Sequence, residues 1–291
     1  MNSKKIPHFI SKATRISTVL GLAATSMLIH HTEAATAIVD LGTSGNFAIL
    51  AGSKISDAGG ASSIIDGDVG LYPTTGLAIG IIQAQVTGGT IYYAETSDAL
   101  LNQAQNDLTT AYNDAAGRPF TTDFGVVDNQ LGGKTLLPGV YRFGGAATAN
   151  LIGELTLDAN GEENPVWIFQ ATSTLITASD ASVTLIGATS CDVFWQVSSS
   201  ATIGTGTSFV GNIMADQSIA LQTNATLNGS ALARIAAVTM DHNTITHADC
   251  DDDGDVGTPV PETGSSLVLL GSTLSALLIV SRTSKRKRAE L

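Results

Sequence analysis

The sequence predicts a mainly β fold, a parallel β-solenoid with one long α-helix packed alongside, and three observations lead there. Between residues 37 and 247 the chain is rich in Gly, Ala, Ser and Thr and poor in charge, with short β-type runs separated by turn residues. Four of those runs, Thr174-Leu175-Ile176-Thr177, Thr202-Ile203-Gly204-Thr205, Ala220-Leu221-Gln222-Thr223 and Thr239-Met240-Asp241-His242, carry a large hydrophobe in second place and recur after 28, 18 and 19 residues. A single segment, 95–116, departs from this texture, with apolar residues at helical spacing.

The first element in order is a targeting segment. Lys4, Lys5, Lys12 and Arg15 precede an apolar stretch over 16–28, and Thr32-Glu33-Ala34-Ala35-Thr36-Ala37 supplies the small residues a signal peptidase needs. The apolar run falls short of the roughly 20 residues that cross a bilayer. Residues 1–34 are therefore read as a signal peptide cleaved near Ala34, and the folded domain as 35–248.

In the segment 95–116, Leu100, Leu101, Ala104, Leu108, Ala111, Tyr112 and Ala115 share one side, while Asn102, Asp107, Thr110 and Asn113 share the other. Thr96 or Ser97 is the expected cap, and Gly117 before Arg118-Pro119 the expected stop. Such a stripe packs against the side of the solenoid.

The gaps of 18 and 19 residues match one coil of a parallel β-helix, and the longer gap leaves an insertion around 187–192. Strand side chains alternate, so stacking Leu175, Ile203, Leu221 and Met240 inside turns their neighbours outward. The expected outward rows are Thr174, Thr202, Ala220, Thr239 and Ile176, Gly204, Gln222, Asp241. A second strand per coil shows in Val166-Trp167-Ile168-Phe169-Gln170 and Val193-Phe194-Trp195-Gln196-Val197, apolar enough to be buried on the helix or in the core. Parallel crossovers are right-handed as a rule, which predicts a right-handed coil.

Beyond the domain, residues 249–259 hold an acidic run read as a solvated linker. Val260-Pro261-Glu262-Thr263-Gly264 then precedes an apolar segment over 267–280 and the basic Arg282, Lys285, Arg286, Lys287 and Arg288. A short motif, an apolar segment and a basic stop hold a chain in the membrane while an enzyme exchanges its tail. This tail resembles the LPxTG-type signals of sortases, with Val260 in place of Leu, and equally the Val-Pro-x-x-Gly tails of exosortases. The expected address is the cell surface or the exterior, with the membrane touched only through this C-terminal segment.

Charge and side-chain inventory narrow the function. Only Lys54, Arg118, Lys134, Arg142 and Arg234 are basic between residues 35 and 258, and the net charge of the whole chain is −12. Nucleic acid is a poor partner for such a surface, which offers no clustered cations to displace counterions. In an exported chain, Cys191 and Cys250 are expected to form one disulfide that pins the end of the domain to its body. His242, His247, Asp249 and Cys250 lack the paired spacing of a zinc site. The run Asp249, Asp251, Asp252, Asp253, Asp255 lacks the bidentate Glu of an EF-hand. No phosphate loop or nucleophile elbow is present, and no basic cluster suits a polysaccharide lyase. The reading is a non-enzyme with no metal and no cofactor.

Several longer stretches carry a family resemblance. Leu41-Gly42-Thr43-Ser44-Gly45-Asn46-Phe47-Ala48-Ile49-Leu50-Ala51-Gly52, Gly67-Asp68-Val69-Gly70, Asn106-Asp107-Leu108-Thr109-Thr110-Ala111-Tyr112, Leu136-Leu137-Pro138-Gly139-Val140-Tyr141, Ala231-Leu232-Ala233-Arg234 and Asp241-His242-Asn243-Thr244-Ile245, with the two Trp strands above, resemble the microbial ice-binding proteins over nearly all of 37–247. The resemblance implies a discontinuous right-handed β-helix of triangular cross-section, a monomer that adsorbs to the ice crystal surface and slows its growth and recrystallisation. It also implies an ice-binding face on one flat side of the solenoid. Carried over, that face comprises Thr174, Ile176, Thr177, Thr202, Gly204, Thr205, Ala220, Gln222, Thr223, Thr239 and Asp241, extended by Thr148. Ile176, Ala220 and Gln222 depart from a threonine-rich face. The competing class is a surface adhesin or matrix protein without ice activity.

Overall fold

The computed structural model describes residues 36–125, 128–248 and 250. The signal peptide, the sorting segment and all of the acidic linker except Cys250 lie outside the described residues. Parallel strands form three sheets that wrap one core. Sheet A runs, in spatial order, Ile91–Tyr93, Asp68–Leu71, Phe47–Ala51, Ala231–Ala233, Asn212–Ala215, Val193–Val197, Trp167–Ala171, Gly139–Phe143 and Thr122–Asp123. Sheet B runs Ala149–Leu151, Leu175–Thr177, Ala201–Ile203, Ile219–Leu221, Ala237–Met240, Lys54–Asp57 and Ile79–Gly80. Sheet C runs Val86–Thr87, Ile64–Asp66, Thr244–Thr246, Thr226–Asn228, Ser208–Val210, Ser182–Ile186, Glu154–Asp158 and Thr135–Leu136.

The stack is discontinuous in sequence. Phe47–Ala51, Lys54–Asp57 and Ile64–Asp66 pair with Ala231–Ala233, Ala237–Met240 and Thr244–Thr246, so the first coil of the domain sits directly on its last. The chain must then travel from the strand Ile91–Tyr93 at one end of sheet A to Thr122–Asp123 at the other. Helix α1, Ala94–Gly117, makes that journey in 24 residues. At 1.5 Å per residue it covers about 36 Å, which matches the roughly 38 Å across a nine-stranded sheet at about 4.8 Å per strand.

Sheet A is apolar on both faces because both are covered. Inward, Phe124, Tyr141, Phe169 and Trp195 form a continuous aromatic ladder completed by Phe209 of sheet C, with successive centroids 5.8, 5.5, 4.0 and 4.9 Å apart. The indoles of Trp167 and Trp195 donate to the carbonyls of Leu136 and Val210, so neither ring buries an unpaired N–H. Outward, Phe47, Leu50, Val140, Ile168, Phe194, Met214 and Leu232 meet Leu101, Ala104, Leu108, Ala111, Tyr112 and Ala115 of α1. Burial of each large side chain in this second cluster contributes about 1.5–3 kcal/mol.

The helix start differs from the expected one. Neither Thr96 nor Ser97 caps α1; the helix leaves the strand Ile91–Tyr93 directly, Thr96 Oγ1 donates to the Tyr93 carbonyl, and Ser97 (φ −141°, ψ 34°) kinks the first turn. Its far end is closed by Gln170, whose Nε2 donates to the carbonyls of Ala115 and Arg118 at 2.8 Å each. Asp107 Oδ2 accepts the Thr43 N–H at 2.9 Å, while Gly42 beside it has φ +50° and would set a Cβ 2.9 Å from that carboxylate. Partial burial opposes ionisation of Asp107, and the bonds from Thr43 and Gln103 outweigh it, holding the carboxyl below its ordinary range. Arg234 adds a third tie, pairing with Asp216 at 2.6 Å and lying 4.5 Å over the Tyr112 ring.

Candidate functional site

The outer side of sheet B presents an ordered, uncharged row that crosses the whole sheet. Asn150, Ile176, Thr202, Ala220, Thr239, Ser56 and Gly80 pair in register, strand to strand, across all seven strands. Their spacing follows the parallel-strand repeat of about 4.8 Å. A second row stands beside it: Thr148, Thr174, Ser200 and Ser218 hold the positions just before these strands, followed by Ala237 and Lys54. Thr148 and Thr174 share a hydroxyl–hydroxyl bond of 2.9 Å, which locks both side chains in one orientation.

Beneath the face, Leu175, Ala201, Ile219 and Val238 form one inward row, and Ile203, Leu221 and Met240 belong to the next. This corrects the expected register. Leu175 pairs with Ala201 and not with Ile203, a repeat of 26 residues where 28 was expected. A shift of two preserves the inward and outward faces of a strand, so Thr174, Ile176, Thr202, Ala220 and Thr239 all remain outward. Their neighbours change: Ile176 stands beside Thr202, and Thr174 moves to the flanking row.

Five further expected members occupy other places. Thr177 points inward and is buried, bonding Thr207 Oγ1 at 3.0 Å and accepting the Gly204 N–H at 2.7 Å. Gly204 is buried against the preceding coil, where a Cβ would come within 2.6 Å of the Thr177 carbonyl oxygen. Thr205 and Thr223 lie in the turns beyond the strands, the first exposed and the second half-buried. Gln222 is exposed at the corner between sheets B and C, near Asp241.

Charge is confined to the margins of the face. Lys54 ends the flanking row, and Asp241 lies at the corner, where its carboxylate accepts from Thr223 Oγ1 at 2.5 Å and meets His242 Nδ1 at 2.7 Å. The Thr223 bond and the His242 contact hold the Asp241 carboxyl below the ordinary range. Among the described residues, no three His, Cys, Asp or Glu side chains converge to hold a metal ion. Cys250 is bonded to Cys191, and His247 Nδ1 meets Ser230 Oγ at 3.0 Å.

Sequence reasoning missed Asn150, Ser56, Gly80, Ser200 and Ser218. It also missed a second hydroxyl-bearing side. Sheet C turns Thr135, Thr156, Thr184, Thr246 and Thr87 outward, with Ser182, Ser208, Thr226 and Thr244 in the parallel row. The alternation in 154–158, 182–186, 226–228 and 244–246 was the available signal.

Comparison with known proteins agrees with this architecture. The family model described as ice-binding-like matches residues 49–246. An ice-binding protein of Nostoc sp. (strain HG1) is 42% identical over 268 residues, covering 91% of this chain and 95% of that protein. One from Flavobacterium frigoris (strain PS1) is 37% identical, covering 72% and 76%. Among solved structures, the ice-binding protein of the Antarctic ascomycete Antarctomyces psychrotrophicus superimposes with a TM-score of 0.63 at 36% identity, over 73% of this chain and 100% of that one. A Shewanella frigidimarina ice-binding domain gives 0.67 at 29% identity, over 74% and 100%. With its three parallel sheets, its flanking helix and these relatives, the chain belongs to the ice-binding-like family.

Proposed function

We propose that this protein adsorbs to ice through the outer face of sheet B, slows ice growth and recrystallisation, and acts at the cell surface. The observation that carries the reading is the uncharged row from Asn150 to Gly80, in register over seven strands and backed by the hydroxyls of Thr148, Thr174, Ser200 and Ser218. Ice offers neither charge nor pocket, so an adsorbing surface sums many weak contacts and gains from being rigid before it binds. A sheet braced by an aromatic core meets that need. Threonine suits it, since the β-branch restricts χ1 while the methyl and hydroxyl present apolar and polar contacts to ordered water.

The remaining assignments come from the sequence. A signal peptide over 1–34 supports export, the acidic 249–259 supports a linker, and Val260 to Gly264 with the apolar and basic tail supports processing by a sortase or exosortase. An anchored ice binder would hold its cell to ice. The test is ice growth in a cold-stage microscope with the purified 35–258 segment: faceted crystals and arrested recrystallisation are expected. Unaltered ice at high protein concentration would refute the reading and leave the adhesin or matrix role in its place.

A further inference from the structure

We infer that the Cys191–Cys250 disulfide is a mechanical clasp, which passes tension from the C-terminal attachment into the middle of the solenoid and shields the last three coils from being unwound. The inference rests on the reading that this domain holds a load between ice and a C-terminal tether.

The position of the bridge motivates it. Cys250 lies four residues past the last strand, Thr244–Thr246, where any pull on the following segment first enters the fold. Without the bridge that pull reaches a three-residue strand, then Ala237–Met240 and Ala231–Ala233, each bound to its neighbours by only a few backbone hydrogen bonds. A solenoid loaded this way yields one short strand after another. As a cross-link the bridge restricts the unfolded chain over a 59-residue separation, and its position also fixes where a pull from the C-terminal side enters the fold.

Its other end is well seated. Cys191 lies in the turn Ser190–Asp192, between the sheet C strand Ser182–Ile186 and the sheet A strand Val193–Val197. Asp192 Oδ2 accepts the Thr189 N–H at 2.7 Å, and the buried Ser190 reaches both ends of a later coil: Oγ donates to Asn228 Oδ1 at 3.2 Å, and its carbonyl accepts from Asn212 Nδ2 at 3.3 Å. Cys191 therefore enters the fold at a turn held in place by several hydrogen bonds. The nine strands from Val193–Val197 to Thr244–Thr246 lie inside the covalent loop and outside the force path. The corner between sheets C and A is also the one opposite sheet B, so the bridge itself sits away from the proposed ice face.

The test pulls the mature chain by handles at its two ends in an optical trap, in dithiothreitol. A thiolate of the reductant attacks one cysteine sulfur, expels the other as thiolate, and its second thiol then closes to the cyclic disulfide, leaving two protein thiols. If the bridge carries the load, its opening rate rises at least tenfold from low to high force. Each opening then releases up to about 200 Å of extension, the reach of the 59-residue separation at roughly 3.3–3.6 Å per residue. Cys191→Ser/Cys250→Ser should yield at lower force while still shaping ice in free solution. An opening rate indifferent to force, or equal yield forces for wild type and a folded double variant, overturns the clasp. Because the trap contains no ice, failure of the ice reading shows separately as unaltered crystals.

Discussion

Sheets B and C have the same parallel architecture and both turn hydroxyls outward, yet they differ in how charge interrupts them. On sheet C, Asp66 stands in register between Thr246 and Thr87, Glu154 heads the row of Ser182, and Thr184 spends its hydroxyl on Glu154 at 2.8 Å. On sheet B the central row is uncharged from end to end, and Lys54 and Asp241 stay at the margins. A carboxylate holds its own hydration shell and does not fit a lattice of neutral water. Continuity of neutral contact, more than the number of threonines, is the ground on which sheet B is proposed as the ice face.

The strongest way to break that comparison is to interrupt the sheet B row. Thr202→Tyr or Thr239→Lys is expected to abolish crystal shaping while circular dichroism stays native, because both side chains stand outside the core. Full activity in both variants would remove sheet B as the contact face. Next in size is Thr177→Val, which leaves the buried Gly204 N–H without its acceptor while Thr207 keeps its bond to the Ala178 carbonyl. Chemical denaturation should show a loss of about 1–3 kcal/mol, with ice shaping retained; lost shaping in a stable variant would mean Thr177 acts at the surface.

Thr226→Lys with Thr244→Lys puts two charges on sheet C and is expected to change recrystallisation inhibition by less than about twofold, within the roughly 0.5 kcal/mol typical of surface substitutions. A large loss would make sheet C the working face. The smallest effect concerns the margin at Asp241. Its folded pKa lies below its ordinary value, so its contribution to stability is present above about pH 4, the unfolded carboxylate range, and is lost as pH falls through the folded value. Asp241→Asn should flatten that acid limb in thermal melts and leave ice shaping at neutral pH unchanged.

Some of this was open to reading from the chain alone, and the physical reason is locality. Alternation along a strand is a nearest-neighbour property, so the outward direction of Thr174, Ile176, Thr202, Ala220 and Thr239 follows from residues on either side. The helical stripe of Leu101, Ala104, Leu108, Ala111 and Ala115 is equally local, and all five are buried on sheet A. Which residues stand side by side is a different matter. Ala201 is too small to announce itself as a core position, so Ile203 drew the alignment with Leu175 two residues off. Thr177 shares the inward side of Leu175 by alternation, a polar residue at a core position whose place is explained only when Thr207 and Gly204 supply its buried partners. Ser56 and Gly80 join the face only because the first coil docks on the last, a contact between segments some 180 residues apart that no periodicity encodes. Periodicity set the faces of the strands, and long-range pairing alone decided their order in the sheet, because parallel registers are chosen by how whole coils pack against one another.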